Sequence, residues 1–190
     1  MPNIYCFISN FNKEYIRSLD KKIGIIYRNY DDKLDLNQFK NLITFCKLLK
    51  KKIFLANKPK IALQLKCDGV YIPSFNKKIY YSLLKDNKNF KIIGSAHNHK
   101  EIKEKEKQGV ELIFLSPLFK VLKSTRFLDV VRFNNLSKLT KKNIIALGGI
   151  NKTNFKKLKL LNIKGFSSIS FFKKKGPWKG PFLKFNICLN

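Results

Sequence analysis

Two adjacent glycines, Gly148 and Gly149, close a short apolar run over residues 144–147 in which β-branched residues lead. A run of that length reads as a strand buried on both faces, as in a parallel sheet. Asn151-Lys152-Thr153-Asn154 follows, and Phe155, Leu158 and Leu161 then recur at helical spacing. A strand that ends in Gly-Gly and feeds a helix brings bare backbone N–H groups close to whatever sits there. Glycine has no Cβ to block the approach, and a helix N-terminus favours an anion. The same pair also suits a tight turn with no ligand, because a short glycine motif is not specific by itself. On the ligand reading, a side chain at Gly149 would stand where the anion sits.

Other polar residues gather at the ends of other apolar runs. Tyr27-Arg28-Asn29-Tyr30 ends one, Asn57 another, Tyr71-Ile72-Pro73-Ser74 a third and Ser95-Ala96-His97-Asn98-His99 a fourth. Ser116-Pro117 and Ser168-Ile169-Ser170 end two more. A packed core alone does not require polar groups on every one of these ends. Each has a plainer alternative. Arg28 contacts a ligand or pairs with Asp31 or Asp32. His97 serves a site or makes a structural hydrogen bond, while His99 reads as a cap or a solvent-facing residue of the next helix. Asn57 meets a ligand or only loop backbone, and Ser116-Pro117 offers a hydroxyl or only shapes a turn. The catalytic candidates are Arg28, Ser95 and His97. The substrate- and phosphate-binding candidates are Asn57, Ser116, Gly148, Gly149, Ser168 and Ser170.

These residues need elements to hold them. Strands are expected at 4–9, 23–30, 53–57, 70–72, 91–96, 112–115, 144–147 and 166–170. Helical patterns lie between them, at 13–20, 36–50, 60–66, 78–85, 100–108, 130–139 and after 151. In 36–50, Leu36, Phe39, Ile43 and Cys46 mark one face. Repeated βα units imply a parallel sheet. Eight of them suggest a closed (β/α)8 TIM barrel, compact and single, with a doubly wound open sheet as the alternative. Barrel sites lie at the C-terminal ends of the strands, where the polar residues are. The barrel is assigned to 1–172. The tail, 173–190, contains Gly176-Pro177-Trp178-Lys179-Gly180-Pro181. Its prolines break any long helix, so the last barrel helix is expected to be short or missing.

With 190 residues the chain fits one domain, and burying roughly 70% of its unfolded surface gives it a sizeable core. No apolar run reaches the ~18 residues of a membrane span. The first residues lack a basic region followed by an apolar signal core, so a cytoplasmic protein is expected. Cys6, Cys46, Cys67 and Cys188 are scattered, with no C-x-x-C pair. They read as buried thiols in a reducing compartment. A net charge of +28 would ordinarily suggest nucleic acid or an anionic membrane. Arginine stands only at positions 17, 28, 126 and 132, so lysine carries nearly all of the charge. Lysine spread over every helix looks like compositional drift. Arginine, which forks onto phosphates and reads base edges, is scarce. This argues against nucleic acid and leaves small anionic substrates as the partners.

Several stretches together resemble the thiamine-phosphate synthase family and its thiazole-tautomerase relatives. Cys67-Asp68-Gly69-Val70-Tyr71-Ile72 looks like the family's Ala-Asp-Gly-Val-His-Leu, and Ser95-Ala96-His97 like its Ser-x-His. The stretch from Gly109 to Phe119 is similar to Gly-Ala-Asp-Tyr-x-x-x-Gly-Pro-x-Phe, and Ala146-Leu147-Gly148-Gly149-Ile150 to Ala-Ile-Gly-Gly-Ile. The stretch Gly165 to Ser170 looks like the family's last strand with its serine. The resemblance implies the barrel fold. It also implies a transferase of thiamine biosynthesis that joins a hydroxymethylpyrimidine pyrophosphate to a thiazole phosphate and releases pyrophosphate, with Mg2+. By the same resemblance Gly148, Gly149 and Ser170 would hold the thiazole phosphate. Arg28 would touch the pyrophosphate, Ser95 would lie near it, and Asn57 would stand beside the metal and the pyrimidine.

The chain also departs from that pattern. The family's Asn-Asp is Asn57-Lys58 here, and a second aspartate would fall at Phe75-Asn76. Ile26 and Tyr30 replace a glutamine and a lysine around Arg28. Lys120-Val121-Leu122-Lys123-Ser124 replaces Pro-Thr-x-Thr-Lys. Magnesium prefers carboxylates and substrate phosphates, so no metal ligand set is assigned. Lys58, Lys120 and Lys123 are the cations on hand to meet pyrophosphate instead. The tautomerase relatives carry a histidine where Ser116-Pro117 stands, which argues against that reaction. The alternative function is a catalytically weak or inactive barrel that only binds a phosphorylated small molecule.

Overall fold

Eight short apolar segments form parallel strands that close on themselves, in the order β1 to β8. They are β1 (Ile4–Ile8), β2 (Ile23–Tyr27), β3 (Ile53–Ala56), β4 (Gly69–Ile72), β5 (Lys91–Ala96), β6 (Leu112–Leu115), β7 (Asn143–Leu147) and β8 (Gly165–Ser168). The computed structural model describes residues 1, 3–29, 34–80, 87–122, 124–168 and 171–172. Pairing of β1 with β8, Ile4 opposite Phe166 and Cys6 opposite Ser168, closes the cylinder and rules out the open sheet. Ser170, Tyr30, Asp31, Asp32, Lys123, Cys188 and the 173–190 tail with its expected short or missing helix lie outside the described residues.

The helices are α1 (Lys13–Ser18), α2 (Leu36–Leu48), α3 (Pro59–Gln64), α4 (His99–Lys107) and α5 (Asp129–Ser137). Three begin where a side-chain oxygen takes an orphan N–H: Asn12 from Tyr15, Asp35 from Gln38 and Asn98 from Glu101. Proline opens α3, where its missing N–H costs nothing. Two expected helices come out differently. Residues 78–80 are not helical, and the rest of that segment lies outside the described residues. The pattern after β7 forms only a six-residue 3-10 helix, Phe155–Leu160. Its local cause is Asn151, whose Oδ1 accepts from the N–H groups of Thr153 and Asn154 and so holds a turn where a helix would start.

Successive side chains alternate between two cores. Inside the barrel Tyr5, Phe7, Ile26, Phe54, Ala56, Tyr71, Ile93, Leu112, Phe114 and Ile145 fill the lumen. Aromatic edges meet faces there, with Tyr5 and Phe114 centroids 5.0 Å apart and Tyr71 and Phe114 5.5 Å apart. Between strands and helices lies the larger core, which includes Ile25, Tyr27, Phe39, Cys46, Ile92, Ile102 and Phe166. Cys6, Cys46 and Cys67 are buried free thiols. No helix among the described residues is long and apolar enough to cross a membrane.

Candidate active site

The lumen's upper rings form a floor at the C-terminal ends of the strands. Phe7 and Tyr71 meet edge to face at 5.1 Å. The guanidinium carbon of Arg28 lies 5.1 Å from the Phe7 ring centroid, so the cation covers this floor. The ladder places it: the Arg28 N–H donates to the Ile8 carbonyl one residue beyond β2. Arg28 also lines a cavity of about 440 Å3 with Ser9, Asn10, Asn12 and Tyr15.

Beside it, the ends of β3, β4 and β5 are tied together by side chains. Asn57 sits at φ +60 just past β3 and donates its N–H to the Tyr71 carbonyl. Its Oδ1 accepts from Asn76 Nδ2 at 2.6 Å, and the same Nδ2 group donates to the Tyr80 hydroxyl. On β5, Ser95 faces inward two residues after Ile93 and is nearly buried. Its Oγ accepts from the Ser74 N–H at 3.1 Å, which leaves the hydroxyl proton to donate elsewhere.

Behind this corner stands a charge that the sequence alone does not reveal. Lys105 on α4 is fully buried. Its ammonium donates to the carbonyls of Pro73 (2.8 Å) and Asn76 (2.9 Å) and to Gln108 Oε1 (2.8 Å). Gln108 in turn donates to the carbonyls of Asn76 and Lys78. Burial pushes the Lys105 pKa down to about 8, with Glu101 and Glu104 pulling the other way. Helical side chains lean toward their own N-terminus, so a lysine low on α4 reaches the mouth. Room for its stem comes from Gly94, where a Cβ would lie 3.0 Å from Lys105 Cδ.

The other side of the mouth is built from backbone. The segment after β6 adds onto the end of β7: the Leu118 N–H donates to the Leu147 carbonyl and that of Phe119 to the Gly148 carbonyl. Gly148 and Gly149 have φ of +96 and +69. A Cβ on Gly149 would lie 2.6 Å from the carbonyl oxygens of Phe119 and Lys120. The sequence reading put an anion in that space; the structure fills it with the 119–120 backbone. The glycine is required first by its conformation and its neighbours. The short 3-10 helix, starting six residues on, also lacks the axial dipole that the sequence reading invoked.

The remaining candidates are placed as follows. Ser116 is nearly buried at the end of β6, and its N–H donates to the Ala96 carbonyl. Ser168 donates its hydroxyl to the Ile150 carbonyl and accepts from the Phe171 N–H, so it fastens β8 to the β7 turn. Glu101 Oε2 accepts from both the backbone N–H and Nδ1 of His97. His97 then faces a rim cavity of about 1000 Å3 with Arg126, Phe127, Asp129 and Arg132, separate from the cavity that Arg28 lines. His99 is the exposed first residue of α4, and Asn98 is its cap. The structure therefore brings Asn57 and Ser95 into one corner with Ser74 and Asn76, and it leaves His97 on the outer rim.

Magnesium needs hard oxygen donors, carboxylates above all. At the β3 and β4 ends this chain has Asn57-Lys58 and Phe75-Asn76, and the Asn57 oxygen is already taken by Asn76. Among the described residues no group of three His, Cys, Asp or Glu side chains is placed to hold a metal ion. The residues present do not fit a resident divalent cation.

A parallel barrel with polar groups and bare backbone at its C-terminal mouth belongs to the class that handles small phosphorylated molecules. The profile of the thiamine monophosphate synthase family matches residues 13–172, and the chain belongs to that family. Two thiamine-phosphate synthases of Prochlorococcus marinus strains are 29% identical over 175 residues and 33% over 145. The matches cover 87% and 72% of this chain but only 50% and 40% of those proteins, so the chain spans half their length or less. The solved thiamine phosphate pyrophosphorylase from Pyrococcus furiosus superposes with a TM-score of 0.71 at 20% identity, over 88% of this chain and 85% of that one. At that identity the likeness speaks for the fold.

Proposed function

We propose that the chain is a thiamine-phosphate synthase-like transferase. It would join a hydroxymethylpyrimidine pyrophosphate to a thiazole phosphate and release pyrophosphate. The observation that carries this reading is the family match over residues 13–172, and the barrel mouth is consistent with it. In such a reaction the bond from the pyrimidine's methylene carbon to pyrophosphate breaks, and the pyrimidine is freed as a stabilised cation. The thiazole then captures it. Proton transfer is secondary, so the protein's work is to position two phosphorylated molecules and to balance developing charge.

Arg28 above Phe7 supplies a fixed positive charge to the leaving pyrophosphate. The Ser95 hydroxyl, anchored through Ser74, donates to the same group. Backbone N–H groups at Gly148 and Gly149 receive the thiazole phosphate, and the aromatic floor keeps water from the reacting carbon. A second reading is a barrel that binds phosphorylated precursors without turning them over. Lys58 and Asn76, standing where the family pattern has carboxylates, favour it.

Incubation with both precursors, with and without magnesium, tests the two. Thiamine phosphate and pyrophosphate formed in equal amounts support the first. Binding of thiazole phosphate by calorimetry with no product supports the second. Neither binding nor product refutes both.

A further inference from the structure

The β3–β4 corner is the part of the mouth where the chain departs most from its family's pattern, and it is also the most completely bonded. Two carboxylates are replaced by Lys58 and Asn76. The link that a cation would make between these loops is made instead by an amide pair, Asn76 Nδ2 to Asn57 Oδ1 at 2.6 Å. That pair has a backing. The Asn76 carbonyl accepts from both Lys105 Nζ and Gln108 Nε2, and the Pro73 carbonyl accepts from Lys105. The loop from Pro73 to Lys78 is thus gripped from behind at three carbonyls by two buried side chains.

A buried ammonium is costly unless its donors are matched. Here all three donors have acceptors, two of them backbone carbonyls of the same loop. A carbonyl that loses a charged donor in a buried site leaves an unmet acceptor, and the loop is then free to shift. Lys58, half-buried beside Asn57 at the start of α3, adds positive charge where the family pattern is negative. A cationic, internally bonded corner receives an anion without a divalent ion between them.

We propose that this corner binds the phosphorylated ligand independently of divalent metal, and that Lys105 is its positioning residue, holding the β4 loop and through it Asn76 and Asn57 in place. The proposal rests on the phosphorylated-ligand reading given above. Lys105 does not touch the ligand; it acts through the loop.

The test uses pyrophosphate as the probe and calorimetry on the whole chain. Wild type is titrated in excess EDTA and again in excess magnesium. Equal affinity within about twofold is expected, and a rise of tenfold or more on adding magnesium, worth about 1.4 kcal/mol, overturns the proposal. Lys105→Met is then compared with Lys51→Met, which removes a buried ammonium at the opposite end of the barrel. Affinity per folded molecule, with the folded fraction taken from circular dichroism, should fall about tenfold for Lys105→Met and stay within twofold for Lys51→Met. Equal affinities for the two variants would show that Lys105 is only structural. Failure to bind pyrophosphate or thiazole phosphate under any condition sinks the phosphorylated-ligand reading itself. Binding that appears only with magnesium sinks this inference alone.

Discussion

Two buried ammonium groups stand at opposite ends of the barrel, and they do the same chemistry for different ends. Lys51, just before β3, is 4% exposed and donates to the carbonyls of Leu19 (2.9 Å) and Asp20 (2.7 Å). Lys105 donates to those of Pro73 and Asn76. Desolvation is the first cause that lowers the pKa of each. What differs is the segment held. Lys51 fixes the turn from α1 into β2, on the face where barrels keep their stability. Lys105 fixes the loop after β4, on the face where barrels keep their chemistry. A buried charge is therefore not a functional signal by itself; the loop it grips decides.

The largest expected effect marks the limit of that division, because one mouth residue is structural. Gly149→Ala should destabilise the chain by about 3 kcal/mol, the sum of a strained positive φ and an overpacked contact. Gly149→Asp should cost about the same, since both add the Cβ that meets the Phe119 and Lys120 carbonyls. Urea melts of both variants check this; an Asp variant as stable as wild type would reopen the space to an anion.

Lys51→Met comes next, at about 2 kcal/mol, from the loss of two hydrogen bonds to carbonyls less the relief of a desolvated charge. Denaturant melts read it. A Lys51 variant that melts as wild type does would break the symmetry between the two lysines.

The smallest effect is a pH dependence. The folded Lys105 titrates near 8, below its ordinary 10.5. Below pH 8 both folded and unfolded chains hold the proton, and the fold bears the cost of burying it. As pH rises through 8 the folded chain releases the proton first, so stability from this group rises toward pH 10.5 and then levels. Wild type should therefore gain on Lys105→Met by about 1 kcal/mol or more between pH 8 and 10. A difference that is flat or falls over that window contradicts a buried, charged Lys105.

The strands were legible because each is a short apolar run ended by polar or turn residues, and eight of them with helical spacers leave few architectures. The glycine pair was legible as a turn but not as a packing contact, since nothing in Ala-Leu-Gly-Gly-Ile says that residues 119–120 lie against it. The helix after Gly149 was overestimated because Phe155, Leu158 and Leu161 keep their spacing in a 3-10 turn as well. Lys105 was hidden in a run of alternating Lys and Glu that reads as a solvated face. Its signals were present: it falls three residues after the buried Ile102, and Gly94 leaves a gap in the middle of β5. Joining those two facts needs the packing of α4 on β5, which the sequence does not state. Asn76 was noticed only as a missing carboxylate, because its partner Asn57 is 19 residues away.

A crystal structure of the chain grown with pyrophosphate and thiazole phosphate in EDTA tests the central claim most directly. The account predicts pyrophosphate between the Arg28 guanidinium, Ser95 and the Asn57–Asn76 pair, the thiazole phosphate against the Gly148 and Gly149 backbone, and no metal between them. Both anions lodged instead in the rim cavity beside His97, Arg126 and Arg132 would contradict it.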